Sequence, residues 1–138
     1  MMVLFNASVV LAGLRSSGGG SGRLLAGVKQ GRIKGVISQL IFDEVLRHAP
    51  KLGLADKAAQ KQVLEIFKNI LPAPGEDLVG RYFKAVIDPG DAHVLASCSQ
   101  GKCEVLVTLD KRHLLVLQGK VRGVAIMSPG EFLTKFNL

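Results

Sequence analysis

The sequence predicts an α/β fold, a largely parallel sheet with helices on both faces. Short apolar runs such as Met2–Phe5 alternate along the whole chain with stretches whose apolar residues recur at helical spacing. Cap and turn residues separate the two kinds of segment, and no repeat or composition break divides the chain. At 138 residues, 48% hydrophobic and 21% charged, residues 1–138 are expected to form one domain around one core.

Taken in order, Met2–Phe5 is continuously apolar, as in a strand covered on both faces. Ser8 is placed to cap a short helix carrying Val9, Val10, Leu11 and Leu14. The glycine- and serine-rich stretch from Ser16 to Gly22 predicts a mobile loop before a helix over Arg23–Gln30. Ile33–Ser38 reads as a second strand. Ser38 then caps a helix with Leu40, Ile41, Val45 and Leu46 on one face. Asp56 opens a longer helix carrying Ala59, Val63, Ile66, Phe67 and Ile70, and Pro72-Ala73-Pro74-Gly75 ends it.

A third strand is expected within Val79–Ile87. Asp88-Pro89-Gly90-Asp91 starts a helix through Val94, Leu95 and Cys98, with Asp88 as its cap. Glu104–Thr108 is the fourth strand, Asp110–Leu115 a short helical stretch and Val121–Met127 the last strand. Ser128-Pro129-Gly130-Glu131 launches a closing helix that ends near Phe136, with Glu131 in a capping role.

Composition excludes several functions. A net charge of +7 makes a polyanionic partner plausible. Cys98 and Cys103 have no second pair with which to complete a zinc site, which leaves two free thiols in a reducing cytoplasm. The apolar start from Met1 to Leu14 lacks a positive flank and is interrupted by Asn6, Ser8 and Gly13. It is also shorter than the ~20 residues that span a bilayer, so no membrane association is expected. Gly18–Gly20 fit neither a phosphate-cradling loop with a following lysine nor a dinucleotide fingerprint. One tyrosine and no tryptophan leave little for base stacking.

Acidic residues number 11, so their placement is informative. Ligands of open parallel sheets bind outside the carboxyl ends of the strands. Asn6 and Ser8 follow the first predicted strand, Asp91 the third, and Thr108 and Asp110 the fourth. Glu44 lies in the second turn of its helix, with its side chain tilted back toward the same crevice. Gathered carboxylates repel one another, and oxygen donors of this kind suit Mg2+ or Mn2+. Each acid also has a structural reading, because Asp110 can cap its own turn and Glu44 can be a solvated helix acid beside Asp43. Arg15, Arg23, Lys111 and Arg112 lie near the predicted crevice, where contacts to phosphate would be useful, whereas Lys57, Lys61 and Lys68 read as a solvated helix face. His93 reads as a packing or hydrogen-bonding residue, and His113 as an exposed one within reach of a phosphate.

At these residues the sequence resembles the PIN-domain family, in the branch that forms the toxin component of toxin–antitoxin systems. The segments that carry the resemblance are Val3-Leu4-Phe5-Asn6-Ala7-Ser8-Val9, Ile37-Ser38 with Glu44-Val45, Asp88-Pro89-Gly90-Asp91-Ala92-His93-Val94-Leu95-Ala96, Leu106-Val107-Thr108-Leu109-Asp110-Lys111, and Ser128-Pro129-Gly130-Glu131-Phe132-Leu133. The resemblance implies a three-layer fold with a five-stranded parallel sheet in the order 3-2-1-4-5. It also implies a Mg2+- or Mn2+-dependent endoribonuclease with Asn6, Glu44, Asp91 and Asp110 around the metal, Ser8 and Thr108 in support. Its partners would be an RNA substrate, a cognate antitoxin and a second copy in a homodimer. The family pattern has Asp where this chain has Asn6, and Asn where it has Ser8. An amide lends a metal an oxygen but no negative charge, so affinity and activity should both be lower. The alternative is a catalytically inactive PIN-like module that binds RNA or protein.

Overall fold

The computed structural model describes residues 1–138. Five parallel strands, β1 (Met2–Phe5), β2 (Lys34–Ser38), β3 (Ile70–Leu71), β4 (Val105–Val107) and β5 (Ala125–Met127), form one sheet in the order β3-β2-β1-β4-β5. Seven α-helices accompany them, the last following β5: α1 (Ala7–Arg15), α2 (Gly20–Lys29), α3 (Gln39–His48), α4 (Asp56–Ile66), α5 (Glu76–Gly80), α6 (Ala92–Gln100) and α7 (Pro129–Lys135). β1 pairs in register with β2 (Val3 opposite Gly35) and with β4 (Leu4 opposite Leu106).

This order dictates where the helices lie. The chain moves outward from β1 to β3 and then crosses back to β4, reversing its direction along the sheet. Right-handed crossovers therefore place α1–α4 on one face and α5–α6 on the other. The contacts agree, since α1 to α4 pack among themselves and α5 packs on α6. The reversal falls between β1 and β4, where crevices of such sheets form.

Strands β1 and β4 are apolar throughout because both of their faces are covered; Leu4, Phe5, Leu106 and Val107, with Ile37 of β2, are fully buried. They belong to a cluster of 31 buried residues. In it Phe5 meets Phe67 edge-to-face at 5.4 Å, tying β1 to the end of α4.

Several expectations need correction. The third strand is Ile70–Leu71, not a segment within Val79–Ile87. Glu76 and Asp77 instead open the short helix α5. After it Tyr82 and Val86 pack on the core, while Phe83 and Ile87 stay exposed. Ile70 thus leaves the helical pattern that ran through Val63 and Ile66, because pairing with Ile37 in the sheet overrides local periodicity. Ser8 does not cap α1; the cap position is Asn6, and Ser8 lies one residue inside the helix. The face of α3 that is buried carries Ile41, Phe42 and Val45, with Leu40 at the surface. The 111–114 stretch forms turns, followed by a short 3-10 segment at Leu115–Leu117.

The glycine-rich stretch is not a free linker either. Gly20, Ser21 and Gly22 form the first turn of α2, and Ser21 and Gly22 are buried. A Cβ at Gly22 would collide with the backbone oxygens of Ser16 and Ser17. The glycine is there for close approach, not for mobility.

The caps at Ser38 and Ser128 form as the sequence predicts, whereas Asp88 caps the 3-10 turn Pro89–Asp91 that precedes α6 and not α6 itself. Ser38 accepts from the Ile41 N–H, Asp88 from the Gly90 N–H, and Ser128 with Glu131 makes a reciprocal capping box. No helix is long and apolar enough to cross a membrane.

Candidate metal centre at the strand switch point

Asn6 leaves β1 at the switch point and begins α1. Its backbone N–H donates to Val107 O of β4, at 3.0 Å. Its side chain is tied across the same gap. Ser8 Oγ donates to Asn6 Oδ1 at 2.7 Å, and Thr108 Oγ1 donates to the same oxygen at 3.0 Å. Each hydroxyl in turn accepts a backbone N–H, that of Leu109 for Ser8 and that of Asp110 for Thr108. With a lone pair of each hydroxyl so engaged, its proton is free for Asn6, which fixes the amide with Oδ1 toward the hydroxyls. The network positions the start of the turn that carries Asp110.

Asp110 Oδ1 accepts from the N–H groups of Arg112 and His113 and so caps that turn. Its other oxygen, Oδ2, lies 3.4 Å from His113 Nδ1. On the crossover from β3 to β4, Asp88 caps and Asp91 ends the 3-10 turn that leads into α6. Asp88, Asp91 and His113 each offer a donor atom, and these atoms all lie within 4.8 Å of one another.

The electrostatics record the gathering. The Asp91 carboxyl is pushed up to about 6, by burial first and then by the carboxylates of Asp110, Asp88 and Glu44, while His113 pulls it back. No lysine or arginine figures among the groups acting on it. Arg23 instead donates to Leu138 O at 2.8 Å, tying α2 to the last residue. Arg15 ends α1, and Lys111 and Arg112 are exposed on the turn after Asp110.

The structure therefore brings Glu44, Asp91 and Asp110 into one electrostatic neighbourhood, and it adds Asp88 and His113. By sequence Asp88 is a cap alone. It is one, but it is also a member of the cluster. His113 was expected at the surface, yet its side chain is 38% exposed and is paired with Asp110. The available signal was spacing, with Asp88 three residues before Asp91 and His113 three after Asp110. His93 is half-buried with its ring nitrogen Nδ1 unpartnered. Burial holds its pKa down, and Glu44 opposes that. Oxygen donors with one imidazole, gathered with no lysine or arginine acting on Asp91, fit a divalent cation.

The fold and the cleft together define a nuclease-type α/β domain with an acidic crevice at the sheet's switch point. The family model of the PIN domain matches residues 2–112, and the chain belongs to that family. PIN domains are generally metal-dependent nucleases and typically bind a divalent metal. The crystal structure of PAE2754 from Pyrobaculum aerophilum is similar in fold, with a TM-score of 0.66 and 23% identity. The similarity covers 99% of this chain and 96% of that one. No curated protein matches the chain.

Proposed function

We propose that this protein is an endoribonuclease that depends on Mg2+ or Mn2+ and hydrolyses RNA phosphodiesters. The observation that supports this reading is the convergence of Asp88, Asp91 and His113 donor atoms within 4.8 Å, with Asp110 3.4 Å from that histidine. When bound, such an ion supplies Lewis-acid activation of water and offsets charge building on the phosphodiester. Asp91 and Asp88 would hold it, with Asp110 and Glu44 completing the carboxylate set. Asn6 offers a neutral amide at the position where the family pattern has a carboxylate. His113 is placed to donate to a phosphate oxygen. Lys111 and Arg112, exposed on the same turn, would attract the RNA backbone.

The toxin branch that the sequence resembles extends the proposal to a cognate antitoxin, a homodimer and a cytoplasmic setting. A second reading is supported by one observation. The Asn6 side chain carries no charge, and its oxygen is already engaged by two hydroxyls. This favours an inactive PIN-like module that binds RNA or protein.

Cleavage of labelled single-stranded RNA with Mn2+, with EDTA and in the Asp91→Ala variant tests the choice. The nuclease reading expects cleavage lost in both controls. RNA binding that survives chelation, with no cleavage at any Mn2+ concentration, supports the binding module instead.

A further inference from the structure

The amino ends of the strands, opposite the crevice, carry a row of cations. Gly35, Val3, Val105 and Ala125 lie side by side across β2, β1, β4 and β5. Arg32, Lys102 and Arg122 each stand three residues before a member of that row, and Lys34 immediately precedes Gly35. All four are exposed. Neighbouring strands are about 4.8 Å apart, so the register gathers these charges along one rim. The protein's ion pairs are Lys29–Glu65 and His113–Asp110, which leaves all four without a carboxylate partner.

Part of the row has a purely structural reading, because cations beyond α2 and α6 complement the negative ends of those helices. That reading does not reach Arg122, which lies in a turn, or Lys34, which lies within β2. Nor does it explain the backbone of Lys102. Its φ is +53°, a left-handed conformation that helix ends ordinarily assign to glycine. Lysine is kept there, and it lines a cavity of about 330 Å³ together with Arg122, Ser99 and Tyr82, the chain's single tyrosine.

Unpaired cations in a row fit a polyanion, and the aromatic ring beside two of them says which kind. Single-stranded nucleic acid is held by cations that track its phosphates and by rings on which its bases stack. An acidic peptide would use the cations and leave the ring idle. We propose that this rim is a second RNA surface, where Arg32, Lys34, Lys102 and Arg122 hold the phosphates of a single strand and the cavity takes one base against Tyr82. Glu104, on the wall of the same cavity, supplies an acceptor for a base N–H or a ribose hydroxyl. The surface lies away from the crevice and needs no metal, so it stands or falls separately from cleavage there.

Fluorescence anisotropy of a labelled single-stranded oligouridylate, titrated with the full chain in EDTA, tests it. Two paired variants, Arg32→Gln with Lys34→Gln and Lys102→Gln with Arg122→Gln, should each weaken binding at least about tenfold at roughly 0.1 M salt. Each pair should also flatten the dependence of log affinity on log salt by about 1.4. Lys57→Gln with Lys61→Gln removes the same charge from α4 and should stay within about threefold of wild type. Tyr82→Leu should weaken RNA about tenfold while leaving inorganic polyphosphate unaffected, and Tyr82→Phe should bind RNA as wild type does. Rim variants that bind RNA as tightly as wild type overturn the proposal, as does an α4 variant that loses as much as they do. Polyglutamate that displaces the RNA at equal charge concentration overturns it too, in favour of an acidic protein partner. A Tyr82→Leu variant that loses polyphosphate along with RNA removes the base subsite.

Discussion

The two sides of the cleft are built on opposite electrostatic terms. Around Asn6 the Oδ1 acceptor is occupied twice, and Ser8 and Thr108 each donate once and accept once. Around Asp91 three other carboxylates raise its pKa, and His113 is the titratable group that opposes them. The first side is what a fold needs, a neutral and satisfied junction that locks β1 to β4. The second costs the metal-free fold stability, which is reasonable only if something outside the chain offsets it.

The contrast breaks most readily at Asp91. Asp91→Asn should weaken Mn2+ binding at least about 100-fold and at the same time raise the melting temperature of the metal-free protein, because it removes a crowded charge. Calorimetry with and without Mn2+ reads both, and a metal-free protein made less stable would mean that the carboxylate is structural.

On the satisfied side the expected signs reverse. Thr108→Ala removes a fully buried hydroxyl, orphaning the Asp110 N–H and half-freeing Asn6 Oδ1, so it should cost about 1–3 kcal/mol of folding stability in urea denaturation. A neutral result would show that the network is not what holds the corner.

Asn6→Asp sharpens the comparison by making the two sides alike. The new carboxylate keeps an oxygen for both hydroxyls and adds a charge, so Mn2+ affinity should rise roughly tenfold and RNA cleavage with it. The metal-free protein should become less stable. No change in either affinity or cleavage would remove Asn6 from the site.

The smallest effect is graded with pH. Because the folded Asp91 carboxyl is raised to about 6 from 3.8, the native state binds its proton more tightly than the unfolded chain does. The penalty of its charge is absent below 3.8, grows between 3.8 and about 6, and is complete above that, so metal-free stability should fall across this window as pH rises. Mn2+ competes with the same proton, and its affinity should drop about tenfold between roughly pH 7 and pH 5. In Asp91→Asn both slopes should flatten.

Some of this was legible in the chain. Strands covered on both faces announce themselves as unbroken apolar runs, as Met2–Phe5 does, and Ser38, Asp88 and Ser128 carry cap chemistry within four residues. Ile70–Leu71 was not legible, because a two-residue edge strand has no period of its own and is defined only by its pairing with β2. Gly22 read as flexibility although it serves a tight backbone approach, since sequence does not distinguish the two uses of glycine. His113 and the second role of Asp88 depended on where two loops meet.

What the sequence determined by itself is the alternation of strand and helix and the caps, because these follow from periodicity and functional groups within a few residues. The tertiary structure alone decided that donor atoms of Asp88, Asp91 and His113 lie within 4.8 Å of one another, with Asp110 paired to that histidine, while Asn6 is held by hydroxyls. The reason is geometric: the reversal between β1 and β4 brings together residues up to about a hundred positions apart, a distance over which no local pattern carries information.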